Sequence, residues 1–479
     1  MSEFSELLTH YIHSKDIKTY ALAQYCGLDR SNMYKIISGK RNAPSGEIVN
    51  RICKFLHLLP AEENELQEAY QIALVGEDNY YRRKEVIKFF SEFSLTQSSF
   101  LRRTTPLSNR LNSESVVLLN TRHEINHALS HIIFSELTNT NGHLRFLFQP
   151  DYDYLMSFLR AENGSIPKAR IDHIICLNND SRTTHSQKNY NLNCLKQVLP
   201  LYGTNPQYNC FYYYDNIADK TDGIAMFPYI VITGKYACLL SPDIQKGYLT
   251  SEPSAIDMFK NIFDKYRDRL PQLLSRVNNI FAQLEYMNSL NPTNETGYFF
   301  QMTPCLTPYI TPEMVEKYIV QELPYRAFFI EKFKEHVQEL TLRRKTSGIT
   351  YIFSLKGVLH FVETGVISEY PSNAYSPLEL SDRIYLIRQL QQMSRTDNCK
   401  MLKDNIGNID NELFLFVSNK KGYLMFPSQS GTDLIYLDVT EPGLLFTFLD
   451  FCENLSETMF YTAQETNKLL QDVIDSHRN

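Results

Sequence analysis

The chain has 479 residues, more than one hydrophobic core usually serves, so its length predicts roughly two to four domains. Hydrophobic residues make up 43% of it and charged residues 21%, and the 31 Tyr and 29 Phe supply large core side chains, which together exclude disorder over most of the length. The net charge of −6 argues against a nucleic-acid coat protein, although a local basic surface remains compatible with it.

The N-terminal sequence and the cysteines predict a soluble cytoplasmic protein. The chain begins with acidic residues where a signal peptide needs a basic region and an apolar stretch. Its longest apolar runs, such as residues 226–232, are far shorter than the roughly 20 residues that cross a bilayer. The nine cysteines are scattered without a CxxC pair, which favours buried thiols in a reducing compartment over disulfides or a zinc site. We therefore expect no membrane partner.

The first 75 residues predict a small domain made only of helices. Apolar residues recur at helical spacing, and turn residues separate the helices: Gly27 ends the second, Asp29 is a good N-cap for the third, and Gly39 ends the third. Five helices are predicted, at about residues 4–12, 19–25, 30–38, 45–55 and 61–74. Helices this short, with turns this tight, indicate a compact unit and not the beginning of a large enzyme domain.

One stretch in this domain, residues 22–56, resembles the helix-turn-helix of the phage-repressor (Cro/C1, or XRE) family. The resemblance is carried by Leu22-Ala23, the turn Gly27-Leu28, Met33, Ile36, Gly39 with Lys40 and Arg41, Pro44-Ser45 and Ile52. At Ile37 the family usually has an acidic residue, and we interpret this departure as repacking of the third helix. The resemblance covers only a small part of the chain, but its spacing is specific.

The resemblance implies which residues contact double-stranded DNA, because in this family the third helix lies in the major groove. The positions implied to contact base edges are Arg30, Ser31 and Lys35. The positions implied to contact the DNA backbone are Thr19, Asn32, Tyr34, Lys40, Arg41 and Asn42. The charges agree with this expectation, since residues 1–60 contain eight Lys and Arg against five Asp and Glu, while the remainder of the chain is acidic.

The rest of the chain contains an internal duplication. The sequence NCFYYYDNI at residues 209–217 recurs as NCKMLKDNI at residues 398–406, and Glu252-Pro253 recurs at the same offset as Glu441-Pro442. Each copy predicts a helix, a strand, a helix, further strands and a closing helix. The predicted fold is therefore α+β and multidomain, with two α/β copies in a pseudo-twofold arrangement around a cleft. The predicted boundaries are 1–75 for the DNA-binding domain, 76–111 for a helical connector with Arg102-Arg103, and 112–288 and 295–479 for the copies.

A possible zinc site occurs in HEINH, residues 123–127, which satisfies the HExxH pattern of zinc proteases. On a helix His123 and His127 share a face and could hold zinc, with Glu124 as the general base. No third ligand of recognisable zincin type follows, and His131 continues the stripe as a polar helix face would. We therefore predict no metal site here, and a zinc metallopeptidase fused to the DNA-binding domain remains an alternative.

The duplicated region is similar in layout to the phospholipase-D superfamily, whose enzymes need HxKxxxxD in each half. The comparable segments here, residues 233–235 and 419–421, contain neither the His nor the matching Asp. The chain also lacks the GxxxxGK[ST], GxGxxG and GxSxG patterns of nucleotide-binding proteins and hydrolases. The sequence thus predicts a protein that is not an enzyme and needs no cofactor.

Together these features predict a one-component transcriptional regulator that binds an inverted-repeat operator as a homodimer. The duplicated region is expected to sense a small-molecule effector or to form the dimer, and a region that only binds another protein is a further alternative. The motifs shared by the copies, including Asp215 with Asn216 and Asp404 with Asn405, are expected to be structural. A ligand cleft is predicted where the copies differ, lined by Tyr212, Tyr213, Tyr214 and Lys235.

Overall fold

A computed structural model describes most of the chain as an α+β fold with two compact units, Met1–Glu85 and Val86–Asn479. The described residues are 2–43, 45–93, 114–163, 169–178, 189–215, 226–277, 280–289, 296–346, 348–394, 398–404, 406, 413–428 and 434–477. Pro44, Asn216, Ile217 and Asn405, and residues 94–113 of the predicted connector with Arg102 and Arg103, lie outside these ranges.

The first unit contains the five short helices that the sequence predicted. They are α1 (Glu3–Ser14), α2 (Thr19–Cys26), α3 (Arg30–Ile37), α4 (Gly46–Phe55) and α5 (Pro60–Val75), and α6 (Glu77–Glu92) follows. The side chains of Ser2, Asp29 and Ser45 accept hydrogen bonds from backbone N–H groups in the first turns of α1, α3 and α4. Each cap satisfies a donor that has no partner within its helix, so these residues fix where the helices begin.

The apolar residues that carry the family resemblance lie in the core of the first unit. Leu22, Met33, Ile36 and Ile52 are at most 1% exposed. Gly27 ends α2 with a φ of +68°, a conformation that glycine adopts without a steric penalty. Ile37 is half-buried and packs against this core, which agrees with our interpretation of the departure at this position.

The second unit alternates strands and helices from β1 onward. Its strands are β1 (Val116–Leu119), β2 (His143–Leu147), β3 (Arg170–Asn178), β4 (Tyr208–Asp215), β5 (Tyr229–Ile232), β6 (Ala237–Leu240), β7 (Gly247–Thr250), β8 (Leu274–Val277), β9 (Thr296–Phe300), β10 (Gly348–Ser354), β11 (Cys399–Leu402), β12 (Phe414–Ser418), β13 (Gly422–Pro427) and β14 (Leu434–Val439). Its α-helices are α7 (Arg122–Leu137), α8 (Asp153–Asn163), α9 (Tyr190–Thr204), α10 (Pro253–Arg267), α11 (Ile280–Ser289), α12 (Pro312–Tyr318), α13 (Arg326–Thr346), α14 (Leu355–Thr364), α15 (Leu380–Met393), α16 (Pro442–Glu453) and α17 (Ala463–Ser476).

The strands form two seven-stranded mixed sheets with the same topology. The first has the order β1-β7-β6-β5-β2-β3-β4, and the second has β8-β14-β13-β12-β9-β10-β11. In the first sheet β2, β3 and β4 are parallel and all other neighbours are antiparallel, and the second sheet repeats these directions strand by strand. The identical order supports the duplication that the sequence motifs indicated.

One segment contributes to both sheets. The backbone N–H of Leu273 donates to the carbonyl of Cys210 in β4 at 2.8 Å, and β8 directly afterwards pairs with β14. In α11, the Gln283 side chain donates to the carbonyl of Leu434. The elements β8 and α11 therefore belong with the second sheet. The sequence had assigned most of this segment to the first copy, whose predicted range was 112–288.

The two copies are stacked with different faces in contact. The first sheet carries α7, α8 and α9 on one face and α10 on the other. The second carries α16 on one face and α11 to α15 on the other. The largest core lies between the sheets and joins the three-helix face of the first copy to the α16 face of the second. The predicted pseudo-twofold arrangement around a cleft is therefore wrong, because a packed apolar core fills this space.

No helix in the described ranges has both the length and the apolar character needed to cross a membrane.

Candidate DNA-binding surface and other candidate sites

Helix α3 presents a polar surface because its sequence divides cleanly between two faces. Met33 and Ile36 are buried in the first unit, whereas Arg30, Ser31 and Lys35 are exposed. This division follows the helical period, which places residues three or four apart on the same side. The three residues predicted to contact base edges thus share one solvent-facing surface.

The beginning of α3 is held by a small polar network. The Asp29 carboxylate accepts a hydrogen bond from the backbone N–H of Asn32 at 2.8 Å and another from its side-chain amide. The Asn32 side-chain oxygen in turn accepts from the guanidinium of Arg41 at 3.2 Å. Two predicted backbone contacts, Asn32 and Arg41, are therefore adjacent, and exposed Lys40 precedes Arg41 in the chain.

A second cluster joins α3 to the beginning of α2. The guanidinium of Arg30 lies over the ring of Tyr34, 5.5 Å from its centroid. The hydrogen bond and the positive charge of Arg30 lower the pKa of the Tyr34 hydroxyl, and Thr19 adds a smaller effect in the same direction. Tyr34 is 48% exposed, so the cluster presents both a cation and a hydroxyl to the solvent.

Asn42 is placed differently from the other predicted contacts. Its side-chain amide donates to the carbonyl of Ala73 in α5 at 3.0 Å, and the residue is half-buried. This bond connects the loop after α3 to α5, so Asn42 has a structural partner within the unit.

The HEINH segment forms the first turns of α7. Thr121 caps the helix by accepting from the N–H of Glu124 at 3.2 Å, and the Glu124 carboxylate accepts from the backbone N–H of Asn120 at 2.7 Å. Glu124 therefore serves as a capping carboxylate, while His123 is exposed and His127 is half-buried. Within the described residues there is no group of three or more His, Cys, Asp or Glu that could hold a metal ion.

Of the four residues of the predicted ligand cleft, Tyr212 and Tyr214 are in contact, with their ring centroids 5.4 Å apart. Side chains alternate along β4, so Tyr212 belongs to the core between the sheets, while Tyr213 lies on the opposite face against α10. Tyr214 donates a hydrogen bond to the buried carboxylate of Glu441, and Lys235 lies in the turn between β5 and β6. Tyr213 and Lys235 therefore lie apart from the Tyr212–Tyr214 pair.

Two grooves in the second unit are large enough for a ligand or a partner side chain. One, of about 390 Å³, lies between the first sheet and α10 and is almost entirely apolar; Tyr213, Ile230, Phe259 and Ile262 line it. The other, of about 570 Å³, lies between α13 and α15 and includes polar groups.

Arg344 gives the groove between α13 and α15 its chemical character. Its guanidinium stacks on the rings of Tyr309 and Tyr351, at 4.8 and 4.3 Å from their centroids, and donates to the carbonyl of Cys305. Among the described residues no carboxylate lies within ion-pair distance of Arg344, although its charge influences the buried carboxyl of Glu369. The hydroxyl of Tyr309 is buried without a hydrogen-bond partner in the same part of the chain. Sequence reasoning missed this pair because residues 309 and 344 come together only through the packing of α13.

The family comparison identifies the N-terminal region. Residues 8–67 match the model of the Cro/C1-type HTH DNA-binding domain. A search of curated proteins finds no match.

Structural similarities to solved proteins are weak. TrmBL2, an archaeal chromatin protein, has a TM-score of 0.23 and 8% identity, covering 51% of this chain and 84% of that one. The phosphatidylserine synthase of Haemophilus influenzae Rd KW20 has a TM-score of 0.23 and 8% identity, covering 83% and 98%. The polyphosphate kinase of Porphyromonas gingivalis has a TM-score of 0.22 and 10% identity, covering 81% and 60%. These scores do not establish a common fold.

The capped helices, the buried positions that carry the resemblance and the family match agree with one another. Residues 8–67 form a helix-turn-helix DNA-binding domain of the Cro/C1 (XRE) family.

Proposed function

We propose that this protein is a sequence-specific transcriptional regulator that binds an inverted-repeat operator as a homodimer. The observation that carries the proposal is the exposed face of α3 in a Cro/C1-type domain, with Arg30, Ser31 and Lys35 side by side. In this role the protein binds DNA and an effector and performs no chemical step.

The geometry favours different roles for the residues of α3, which would contact bases, and for the residues that follow α3, which would contact the DNA backbone. Arg30 can donate two parallel hydrogen bonds to guanine, and its position over Tyr34 limits its conformational freedom before DNA arrives. Lys40 and Arg41, which follow α3, are placed to neutralise phosphates. Arg30 would then determine sequence preference, while Lys40 would contribute affinity for any sequence.

The test compares single alanine variants on an operator selected from random DNA. Arg30→Ala should weaken binding by roughly 1–3 kcal/mol and relax the base preference at one position. Lys40→Ala should weaken binding to all sequences alike and reduce the salt dependence by about one counterion. Lys54→Ala, an exposed α4 residue of the same charge, is the matched control. If Arg30→Ala binds the operator like the control, the assigned DNA-reading face is wrong.

We also propose that the second unit senses a small anionic effector. The support is the groove between α13 and α15, where Arg344 has aromatic and carbonyl neighbours but no carboxylate partner in the described ranges. Arg344 is partly buried, and the carboxyl that its charge reaches, that of Glu369, is buried and has a raised pKa, so an anionic ligand in the groove would add a counter-charge. A carboxylate or phosphate on a flat apolar body would suit both the charge and the stacked rings.

This second proposal is tested by thermal shift of the full chain with aromatic carboxylates and nucleoside monophosphates. A true effector should raise the melting temperature and change operator affinity, and both effects should disappear in Arg344→Gln. The variant Lys334→Gln is the control, because Lys334 lines the same groove but is paired with Glu316 and Glu331. A ligand whose effects persist in Arg344→Gln would contradict the site.

A further inference from the structure

Arg41 lies beside α3, although it follows that helix in the chain. Its backbone N–H donates to the carbonyl of Lys35 at 3.1 Å, which holds the loop after α3 against the end of the helix. Its side chain runs back toward the first turn of α3, where Nη1 of the guanidinium donates to the side-chain oxygen of Asn32 at 3.2 Å. Arg41 is exposed, so this contact holds a cation at the surface next to the residues predicted to contact bases.

The side-chain amide of Asn32 is engaged at both ends. The carboxylate of Asp29 accepts from the backbone N–H of Asn32 at 2.8 Å and also from its side-chain nitrogen. An ionised carboxylate can only accept and a guanidinium can only donate, so Asp29 and Arg41 together determine which way the amide points. The nitrogen faces Asp29 and the oxygen faces Arg41. Both polar atoms of the amide thus have partners within the first unit.

The group that holds Arg41 is neutral, unlike the group that holds Arg51 in α4. The guanidinium of Arg51 pairs with the carboxylate of Glu47 at 2.6 Å, which compensates its charge. Among the described residues Arg41 forms no ion pair, and its side-chain partner is the amide of Asn32. That amide occupies one N–H donor and leaves others for a bidentate contact with a phosphate. Arg41 is therefore oriented without losing its positive charge.

We propose that Asn32 is a positioning residue, which holds the guanidinium of Arg41 in the orientation that binds a DNA phosphate and makes no contact with DNA itself. The family resemblance implied that both residues contact the DNA backbone, whereas the geometry gives them successive roles. Asp29 fixes Asn32, Asn32 fixes Arg41, and Arg41 binds the phosphate at a smaller cost in side-chain entropy. This inference rests on the proposed function, because it assumes that α3 enters the major groove.

The first experiment measures operator affinity of the full chain at several salt concentrations by fluorescence anisotropy. Arg41→Ala should weaken binding to all sequences alike and reduce the salt dependence by about one counterion, because a phosphate contact is lost. Asn32→Ala should weaken binding by about fivefold with unchanged salt dependence, since Arg41 keeps its charge but must be ordered when DNA binds. An Asn32→Ala protein that binds like the wild type would overturn the inference.

The matched control is Asn50→Ala. Asn50 is an exposed asparagine of α4, and its side-chain oxygen accepts from Gln67 at 3.1 Å. It resembles Asn32 in chemistry but has no arginine to orient, so its replacement should leave operator affinity unchanged.

The second experiment asks whether Asn32 acts through Arg41. In the Arg41→Ala background, Asn32→Ala should have no further effect, because the group that Asn32 positions is absent. A direct contact between Asn32 and DNA, or an effect on the stability of α3 alone, would weaken binding equally in both backgrounds. An undiminished effect in the Arg41→Ala background would therefore contradict the positioning role.

The third experiment changes the charge of the holding group. In Asn32→Asp the new carboxylate would pair with Arg41 and compensate its charge. Binding should then be weaker than in Asn32→Ala, and the salt dependence should fall by about one counterion. Asn50→Asp adds the same charge elsewhere in the unit and should keep the wild-type salt dependence. An Asn32→Asp protein that also keeps it would show that Arg41 does not neutralise a phosphate, which would overturn the inference.

The outcomes separate this inference from the proposed function. The proposed DNA-reading face is tested by Arg30→Ala, whereas the positioning role is tested by the Asn32 and Arg41 variants. If Arg30→Ala loses its base preference but Arg41→Ala binds like the wild type, the inference is wrong and the function stands. If the wild type binds no selected operator, the proposed function itself is wrong, whatever the contacts of Asn32.

Discussion

His173 gives the second unit a specific sensitivity to acid. It lies on β3 at 1% exposure, inside the core between the sheets. Its Nε2 is 3.0 Å from the carbonyl of Phe148, which can only accept, so Nε2 carries the proton. Nδ1 therefore accepts from the hydroxyl of Tyr208 at 2.8 Å. Burial disfavours the charged ring and lowers the pKa of His173 to about 4 from its usual 6.5.

The lowered pKa of His173 determines the sign and the size of the change in the free energy of unfolding with pH. Because the unfolded chain binds a proton near pH 6.5 and the folded chain only near pH 4, stability is fully present above pH 6.5 and is lost as the pH falls between these values. The linkage relation gives a loss of about 2 kcal/mol between pH 7 and pH 5. The loss reaches about 3 kcal/mol once the pH is below the folded pKa.

The measurement is the free energy of unfolding of the full chain in urea at pH 7 and pH 5. His173→Gln is the appropriate variant, because its amide can donate to Phe148 and accept from Tyr208 without titrating. The change between the two pH values should be smaller in the variant by about 2 kcal/mol, and comparing the two proteins cancels the titration of all other groups. An equal change in both proteins would refute a buried, neutral His173.

Three other substitutions test local features of the fold. Asp29→Ala should lower the free energy of unfolding of the first unit by about 1 kcal/mol and weaken operator binding, measured by urea unfolding and fluorescence anisotropy, because α3 loses its cap. Gly357→Ala should destabilise the second unit by about 3 kcal/mol, since the new Cβ would lie 1.9 Å from the carbonyl oxygen of Met302; Gly46→Ala, where nothing lies within 4 Å, should be tolerated in the same thermal melt. Glu441→Gln should cost about 2 kcal/mol, because a buried carboxylate that accepts from two backbone N–H groups is lost; equal melting temperatures would contradict this role.

Local signals were sufficient for the first unit. Gly27, Asp29 and Ser45 act through their own backbone conformation or hydrogen bonds to residues nearby, so their effect can be predicted from the sequence alone. The duplication was also visible, because the Glu-Pro pairs mark the beginnings of α10 and α16. The matching strand order extends that local signal to both sheets.

The predicted arrangement of the two copies failed because it depended on which face of each sheet is covered. The alternation of Tyr212, Tyr213 and Tyr214 along β4 was predictable, but the sequence does not say that α10 and the main core occupy opposite sides of that strand. The stacking of the copies could not be predicted for the same reason. A helical pattern in the sequence predicts a helix, but it does not say against which face of the sheet that helix packs. Met258, Ile262 and Tyr266 of α10 recur at helical spacing, and only the structure shows that these apolar side chains are exposed.

Residues 271–273 form hydrogen bonds with β4, and the chain then continues directly into β8 of the second sheet. The two copies therefore cannot be separated as independent fragments. A fragment that begins at residue 296 would lack β8, and the backbone of β14 would then become an open sheet edge, which invites aggregation. The complementary fragment would carry β8 as a strand without a partner. Expressed together, the two pieces should reassemble, with β8 of one completing the sheet of the other in the manner of donor-strand complementation.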